Sequence, residues 1–200
     1  MNSRIGIVMA TMLEAKPLIE SLHLALKTMK PFHIYENERV VLAISGIGKV
    51  NAALSTAYVI GEYDFKALYN LGAAGGLKSG IKKGAIFHIS DVIDYDRPLL
   101  RGGTRKTAAS TCEGFDLAVL ATTDRPAISL ERRLDIGREA DLVDMEGSGF
   151  VQACKIFGAE PFLWKIVSDA LEDNNTVDIV ENIKYLIKEL CIFFEEKILK

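Results

Sequence analysis

The sequence predicts an α/β protein built on a largely parallel β-sheet. Short apolar runs recur along the chain, and most are followed by a segment with apolar residues at helical spacing. Such runs are typical of strands buried on both faces, and their alternation with helices is typical of layered α/β folds. Strands are predicted at residues 5–10, 40–44, 67–71, 85–93, 117–121, 142–145 and 162–167, and helices at 12–26, 50–60, 130–138, 149–157 and 177–199.

The composition restricts the class of protein further. Hydrophobic residues make up 49% of the 200 residues and charged residues 26%, which excludes disordered and low-complexity chains. The length fits one domain over residues 1–200. Because the net charge is −3, there is no basic surplus for tracking a phosphate backbone, and no nucleic-acid partner is expected.

Three cysteines and the N-terminus bear on the cellular compartment. Cys112, Cys154 and Cys191 are odd in number and far apart, which argues against a disulfide framework and against a zinc site. We therefore expect reduced thiols, no bound metal and a cytoplasmic location. The first apolar run is too short for a signal peptide. No uncharged apolar stretch reaches the roughly 18 residues of a membrane span, so none is predicted.

One segment, residues 101–113 (RGGTRKTAASTCE), is typical of a long loop, because it is small, polar and basic. Two interpretations are open, a mobile lid over a site or a plain surface loop. The surface loop is favoured, because most loops have no further role.

Acidic residues follow several predicted strands, where ligands of such sheets bind. Glu14 follows the first strand, Asp144 and Glu146 the strand at 142–145, and Asp169 the last one. A carboxylate there can hold a sugar diol, and an acid can protonate a ring nitrogen. Each also has a structural alternative: Glu14 at the positive end of a helix dipole, Asp144 and Glu146 as caps of the following helix, and Asp169 as a cap or turn residue.

Two glycine-rich segments also follow predicted strands. The first, SGIGKVN at residues 45–51, either cradles an anion at a helix N-terminus or packs that helix closely, and it lacks the Walker A spacing. The second, NLGAAGGL at residues 70–77, either lets a ligand lie against the backbone or forms a bulge or turn. With the acids, these segments have the makeup of a small-molecule site.

In this order, the segments GIVMATMLEA, SGIGKVNAA, NLGAAGGL, VDMEGSG and KIVSDA resemble the purine nucleoside phosphorylase and nucleosidase superfamily. The nearest branch is the methylthioadenosine/S-adenosylhomocysteine nucleosidases. The resemblance covers most of the chain and implies a single-domain, three-layer α/β fold with a central twisted mixed sheet flanked by helices. It also implies cleavage of the N-glycosidic bond of a purine nucleoside, without a cofactor.

The resemblance further implies the roles of individual residues. Glu14 matches the acid that activates the attacking water, and Asp169 matches the acid that acts on purine N7, oriented by Ser168. Glu146, beside Met145, matches the acid that holds the ribose 2′ and 3′ hydroxyls. Lys165 stands where the family usually has an arginine near the water.

Phosphorylases of this superfamily hold phosphate with arginines and a serine. Ala73 stands in place of that serine, next to Ala74 and Gly75, and no arginine falls in the glycine-rich segments. Phosphate would therefore lack charged partners, which favours water as the nucleophile.

Two departures leave the substrate open. Pro126 and Ala127 stand where relatives place a stacking aromatic residue and a residue whose backbone reads the base edge. The region after Asp94 is shorter than in relatives, which opens the space around the 5′ substituent. The expected substrate is a 5′-modified adenosine of the methylthioadenosine or S-adenosylhomocysteine type, and a bulkier futalosine-like or adenosyl-hopanoid nucleoside is an alternative.

Two other functions stay open from the sequence, a phosphate-dependent phosphorylase of the same fold and a non-catalytic nucleoside-binding protein. The resemblance also implies a homodimer, since relatives are commonly dimers in which the partner chain closes the 5′ end of the site. Apolar residues at 50–60 fit either such an interface or a core face.

Overall fold

The computed structural model describes residues 4–99, 103–173 and 177–199. The strands are Arg4–Met9 (β1), Ala25–Thr28 (β2), His33–Glu36 (β3), Val40–Ile44 (β4), Phe65–Gly76 (β5), Ile86–Asp94 (β6), Lys106–Ala108 (β7), Leu117–Thr122 (β8), Leu142–Asp144 (β9) and Pro161–Asp169 (β10). The helices are Met12–Ser21 (α1), Lys49–Glu62 (α2), Leu130–Ile136 (α3), Gly147–Phe157 (α4) and Val177–Lys197 (α5).

All ten strands join one mixed sheet in the order β10-β6-β8-β9-β5-β1-β4-β3-β2, with β7 paired to β6. Strands β4, β1, β5 and β10 run parallel, as do β6, β8 and β9. The other pairings are antiparallel. Because β5 pairs with β10 as well as with β9, the strands β5, β10, β6, β8 and β9 form a closed ring in which each strand pairs with two others of the ring. Strands β1, β4, β5 and β10 run in one direction and bring their carboxyl ends to the same side of the sheet.

Helices cover both faces of this sheet. On one face, Val59 of α2 and Phe150, Val151 and Cys154 of α4 pack into a core with β1, β4, β5, β6, β8 and β10. On the other, the buried residues of α1 and α5 pack with Trp164 of β10 in a second core. The predicted three-layer architecture, a mixed sheet flanked by helices, is confirmed.

Three strands were not predicted, and two predicted elements differ in length by five residues or more. The predicted helix at 12–26 ends at Ser21, because His23 adopts a left-handed backbone with φ of 51° and the chain turns into β2. The short strands β2 and β3 form an edge hairpin with little apolar signal. Strand β7 falls inside the predicted loop 101–113, of which residues 101 and 102 lie outside the described part. Strand β5 continues to Gly76, five residues past its predicted end.

Within the described ranges, no helix is long and apolar enough to cross a membrane.

Candidate active site

A cavity of about 400 Å³ opens at the carboxyl ends of β1, β5 and β10. This volume lies in the range of sites for small organic ligands. The wall also includes the start of α1, the junction of β9 and α4, the loop at residues 126–128 and the first turns of α5. Ten of the residues predicted for the site line this cavity: Glu14, Ala73, Ala74, Gly75, Pro126, Ala127, Met145, Glu146, Ser168 and Asp169.

Glu14 is fixed at the cavity wall by the local structure of α1. Thr11 is the N-cap of this helix, and Glu14 completes a capping box with it. Glu14 Oε2 accepts hydrogen bonds from the Thr11 backbone N–H at 3.1 Å and from Thr11 Oγ1 at 2.8 Å. Glu14 Oε1 accepts from the Ala73 N–H at 3.1 Å. The helix-terminus alternative therefore describes Glu14 correctly, and the same contacts orient its carboxylate beside the cavity.

The glycines of β5 make room for the acids. A Cβ atom on Gly72 would lie 3.0 Å from Glu14 Oε1, and one on Gly75 would lie 3.2 Å from Asp169 Oδ2. A side chain at either glycine would therefore crowd the carboxyl group beside it. Pairing with β10 and β9 keeps the glycine-rich chain extended, so the turn alternative is not formed, and the pairing register shifts between Val167 and Asp169 of β10, opposite Ala74 and Gly75.

Glu146 occupies the N-cap position of α4, but its side chain makes no capping hydrogen bond. Asp144 accepts a hydrogen bond from the first turn of α4, because its Oδ2 lies 2.9 Å from the Gly147 N–H. Glu146 Oε1 instead accepts from the Gly48 N–H at 2.9 Å. The capping alternative thus describes Asp144 rather than Glu146. The first glycine-rich segment does hold an anion at a helix N-terminus, and that anion is the protein's own carboxylate.

Burial, together with the negative charge of Asp144, raises the pKa of Glu146 to about 7. The folded protein therefore holds this carboxyl neutral to a higher pH than an exposed glutamate. A diol that donates two hydrogen bonds would favour the charged form.

Lys165 differs from the other predicted residues, because it does not line the cavity. Its Nζ lies 2.9 Å from Asp144 Oδ2, and both side chains are 1% exposed. Burial alone would lower the pKa of Lys165, but the charges of Asp144, Glu146 and Glu14 outweigh burial and raise it. The ammonium group therefore stays charged behind the wall and balances part of the acidic charge.

Asp169 is held by two donors. Its Oδ1 accepts from Ser168 Oγ at 2.6 Å, and its Oδ2 lies 2.9 Å from Nη2 of Arg133 on α3. The capping and turn alternatives do not account for this pair of contacts. Arg133 was not predicted, because an arginine in a short charged helix has the same local pattern as one exposed to solvent.

The rest of the wall is mostly apolar. Ile179, Val180 and Ile183 of α5 line the cavity together with Leu13 and Ile47. Ile179 and Ile183 belong to a periodic apolar stripe in the sequence of the last helix, and such a stripe does not distinguish a core from a ligand wall. Among the described residues that line the cavity, none is lysine, arginine or histidine. In the described ranges there is also no cluster of three or more side chains arranged to hold a metal ion.

Comparisons with known proteins agree with this architecture. The family model described as the phosphorylase superfamily matches residues 4–109, just over half of the chain. This chain therefore belongs to the phosphorylase superfamily.

Within that superfamily, similar proteins carry nucleosidase names. A Buchnera aphidicola protein named 5′-methylthioadenosine/S-adenosylhomocysteine nucleosidase is 27% identical over 95% of both chains. A mutant of the Helicobacter pylori 5′-methylthioadenosine/S-adenosylhomocysteine nucleosidase (MTAN) was solved with 5′-methylthioadenosine in the active site. It has a TM-score of 0.89 at 18% identity over 98% of both chains. Native futalosine hydrolase of Helicobacter pylori has a TM-score of 0.85 at 20% identity over 96% of both. These structural likenesses establish the fold.

Proposed function

We propose that this chain is a purine nucleosidase, which hydrolyses the N-glycosidic bond of a 5′-modified adenosine and releases the free base. The observation that carries the proposal is the meeting of three carboxyl groups, from Glu14, Glu146 and Asp169, at one cavity of nucleoside size. The relatives named as methylthioadenosine/S-adenosylhomocysteine nucleosidases support the same reaction and substrate class.

In the proposed reaction each acid has one role. Glu14 takes a proton from the attacking water, and its three hydrogen bonds hold it in place for that step. Glu146 accepts hydrogen bonds from the ribose 2′ and 3′ hydroxyls. Asp169 gives a proton to purine N7, which makes the base a better leaving group. The positive charge that develops on the sugar is stabilised by the nearby carboxylates, as in other glycoside cleavages.

The electrostatics of the cavity favour water over phosphate as the nucleophile. Phosphate sites are built from cationic groups or clustered backbone N–H groups. The described wall has acids and no cation, and the nearest ammonium, on Lys165, is paired with Asp144. A phosphate dianion placed here would meet Glu14 and Glu146 without a compensating charge.

A panel of nucleosides tests the substrate class. We expect base release from methylthioadenosine and S-adenosylhomocysteine to exceed release from adenosine and inosine, because the apolar wall contributes only when a 5′ substituent fills it. The base is detected by chromatography, with no phosphate present. Equal rates for adenosine and methylthioadenosine would contradict the assignment of the 5′ group. Tight binding of adenine without turnover of any nucleoside would identify a binding protein.

A bulkier 5′ group is the second candidate. Leu13 and Ile47 line the cavity and are themselves 38% and 56% exposed, so the mouth of the cavity is apolar and open. The structural likeness to a futalosine hydrolase points in the same direction. An aminofutalosine-like compound in the same panel tests this candidate directly.

The open mouth also supports the proposal of a homodimer. Ile47, Val50 and Leu54 follow one another at the start of α2, and Val50 is 71% exposed. Because Ile47 lines the cavity, a second copy seated on these residues would cover its 5′ end. The three cysteines are free, which is consistent with the proposed cytoplasmic location.

A further inference from the structure

Arg133 is a buried cation directly behind the candidate active site. It lies on α3, and its side chain is 3% exposed. Its Nη2 donates to the Gly76 carbonyl at 2.6 Å and to the Asp169 carbonyl at 3.3 Å, and it lies 2.9 Å from Asp169 Oδ2 in an ion pair. A Cβ on Gly75 would lie 3.6 Å from the same nitrogen, so the strand leaves space for the guanidinium.

The contacts of Arg133 are concentrated on Asp169. Its Nε is buried and has no hydrogen-bond partner among the described residues. Burying an arginine is unfavourable unless a counter-charge compensates for the lost hydration. The only carboxylate in an ion pair with Arg133 in the described ranges is that of Asp169. The pair therefore ties the charge of α3 to the acid at the end of β10.

We propose that Arg133 is a positioning residue for Asp169, which fixes the carboxyl group and stabilises the negative charge it gains when it protonates the leaving base. The inference rests on the proposed function. In the step considered, Asp169, the carboxylate of the ion pair, takes a proton from solvent and passes it to purine N7, and the electron pair of the C1′–N9 bond leaves with the base. Water supplies its oxygen to C1′ and its proton to Glu14. Solvent then removes that proton from Glu14, and Asp169 is again the carboxylate of the ion pair.

The physical basis is that charge develops on Asp169 during this step. A fixed cation 2.9 Å away stabilises the carboxylate product of proton transfer more than the neutral acid. Ser168 cannot supply this effect, because its hydroxyl has one hydrogen and also lies 3.3 Å from the Ala74 carbonyl. A neutral replacement of Arg133 should therefore slow the chemical step while the substrate still binds.

The test is a double-mutant cycle on base release from methylthioadenosine. Arg133→Met should lower kcat roughly 10²-fold, of the order of one general acid, and change KM by less than about threefold. In the Asp169→Asn background, the same substitution should cost less than about threefold, because its effect passes through the missing carboxyl. Arg133→Lys keeps the charge and should recover about tenfold of the lost kcat.

Arg132→Met is the matched control. Arg132 lies on the same helix, is 38% exposed and pairs with Asp96 rather than with Asp169. Its kcat should stay within about twofold of the wild type, as for other exposed ion pairs. If Arg133→Met does not fold, the cycle is run with Arg133→Lys, which still loses the planar guanidinium.

The outcomes separate this inference from the proposed function. A wild type that releases no base defeats the proposed function. If the wild type releases base, two results would contradict the inference alone. One is an Arg133→Met variant with full kcat, and the other is a loss of kcat on Arg133→Met that is equally large in the Asp169→Asn background. A loss of kcat at unchanged KM that disappears in the Asp169→Asn background supports it.

Discussion

Glu14 combines a structural contact and a proposed chemical role in one carboxylate. Its Oε2 closes the capping box with Thr11, while Oε1 accepts from Ala73 at the cavity wall. We expect Glu14→Gln to lower kcat by about 10²–10⁴-fold, because an amide cannot take a proton from water. Nucleoside affinity, measured by calorimetry, should be retained. Glu20→Gln, at the other end of α1, is the control, and a fully active Glu14→Gln would mean that the water is activated elsewhere.

Asp169→Asn should affect both rate and stability. Without a transferable proton, kcat should fall by about 10²–10⁴-fold. The protein should still fold, but Arg133 would lose its counter-charge, and breaking such a buried pair costs about 3 kcal/mol. Base release and denaturant unfolding are the two measurements. Unchanged kcat would rule out the action on N7, and unchanged stability would contradict the ion pair.

The raised pKa of Glu146 has a consequence for stability. The value rises from 4.5 to about 7 on folding, so the folded state resists ionisation of this group. The contribution of neutral Glu146 to the free energy of unfolding is fully present below pH 4.5 and is lost as the pH rises to 7. Glu146→Gln, which stays neutral, should therefore be more stable than the wild type at pH 8, by up to about 3 kcal/mol, and equal to it at pH 4. Denaturant titrations at both values test this; a pH-independent difference would contradict it.

At the scale of the elements, buried strands were predictable and exposed ones were not. Strands β1, β4, β8 and β10 carry continuous apolar runs, because both of their faces are covered by helices. The edge strand β2 has an exposed face and four residues, which leaves no periodic signal. The extension of β5 through its glycines depends on the neighbouring strands, which a local pattern does not contain.

The residues of the candidate site also fall into some that the sequence predicts and some that it does not. The residues after the strands were predicted from their type and from the resemblance, because strand ends converge in a parallel sheet. Arg133 and the wall formed by α5 could not be predicted, since each depends on which face of a helix turns toward the site. Adjacent Arg132 and Arg133 have the same side chain, and only the packing of α3 buries one and exposes the other.

His88 connects two strands to a loop and should make the sheet sensitive to acid. Its Nδ1 lies 2.9 Å from the Leu163 carbonyl, its Nε2 accepts from the Cys112 N–H at 3.0 Å, and its ring stacks on Trp164 at 4.1 Å. Burial lowers the pKa of His88 below its ordinary 6.5. The unfolded chain therefore takes up a proton that the folded one refuses, and stability falls as the pH drops below 6.5.

The variant His88→Gln isolates the contribution of His88 to the pH dependence of stability. Between pH 6.5 and 5, wild-type stability should fall more steeply than that of His88→Gln, whose amide does not titrate. Unfolding midpoints across this range provide the measurement, and His33→Gln on the edge strand β3 is the control. Parallel curves for the wild type and His88→Gln would contradict the account.

At the scale of the whole molecule, the proposed homodimer predicts a coupling between assembly and substrate binding. Val50→Asp should shift the protein toward the monomer, because it places a charge among the exposed apolar residues at the start of α2. The KM for a 5′-thioalkyl nucleoside should rise at the same time, while the KM for adenosine should change less. Leu26→Asp, on the edge strand β2, is the control of similar chemistry. Sedimentation and kinetics provide the measurements; an unchanged dimer, or an unchanged KM in a monomer, would contradict this account.

The whole cavity carries acids and no described cation, and this is the property that separates hydrolysis from phosphorolysis. The direct measurement is the reaction of methylthioadenosine with and without inorganic phosphate, with the sugar product identified by mass spectrometry. We expect free methylthioribose and the same rate of adenine release in both reactions. A sugar 1-phosphate, with adenine release that requires phosphate, would contradict it.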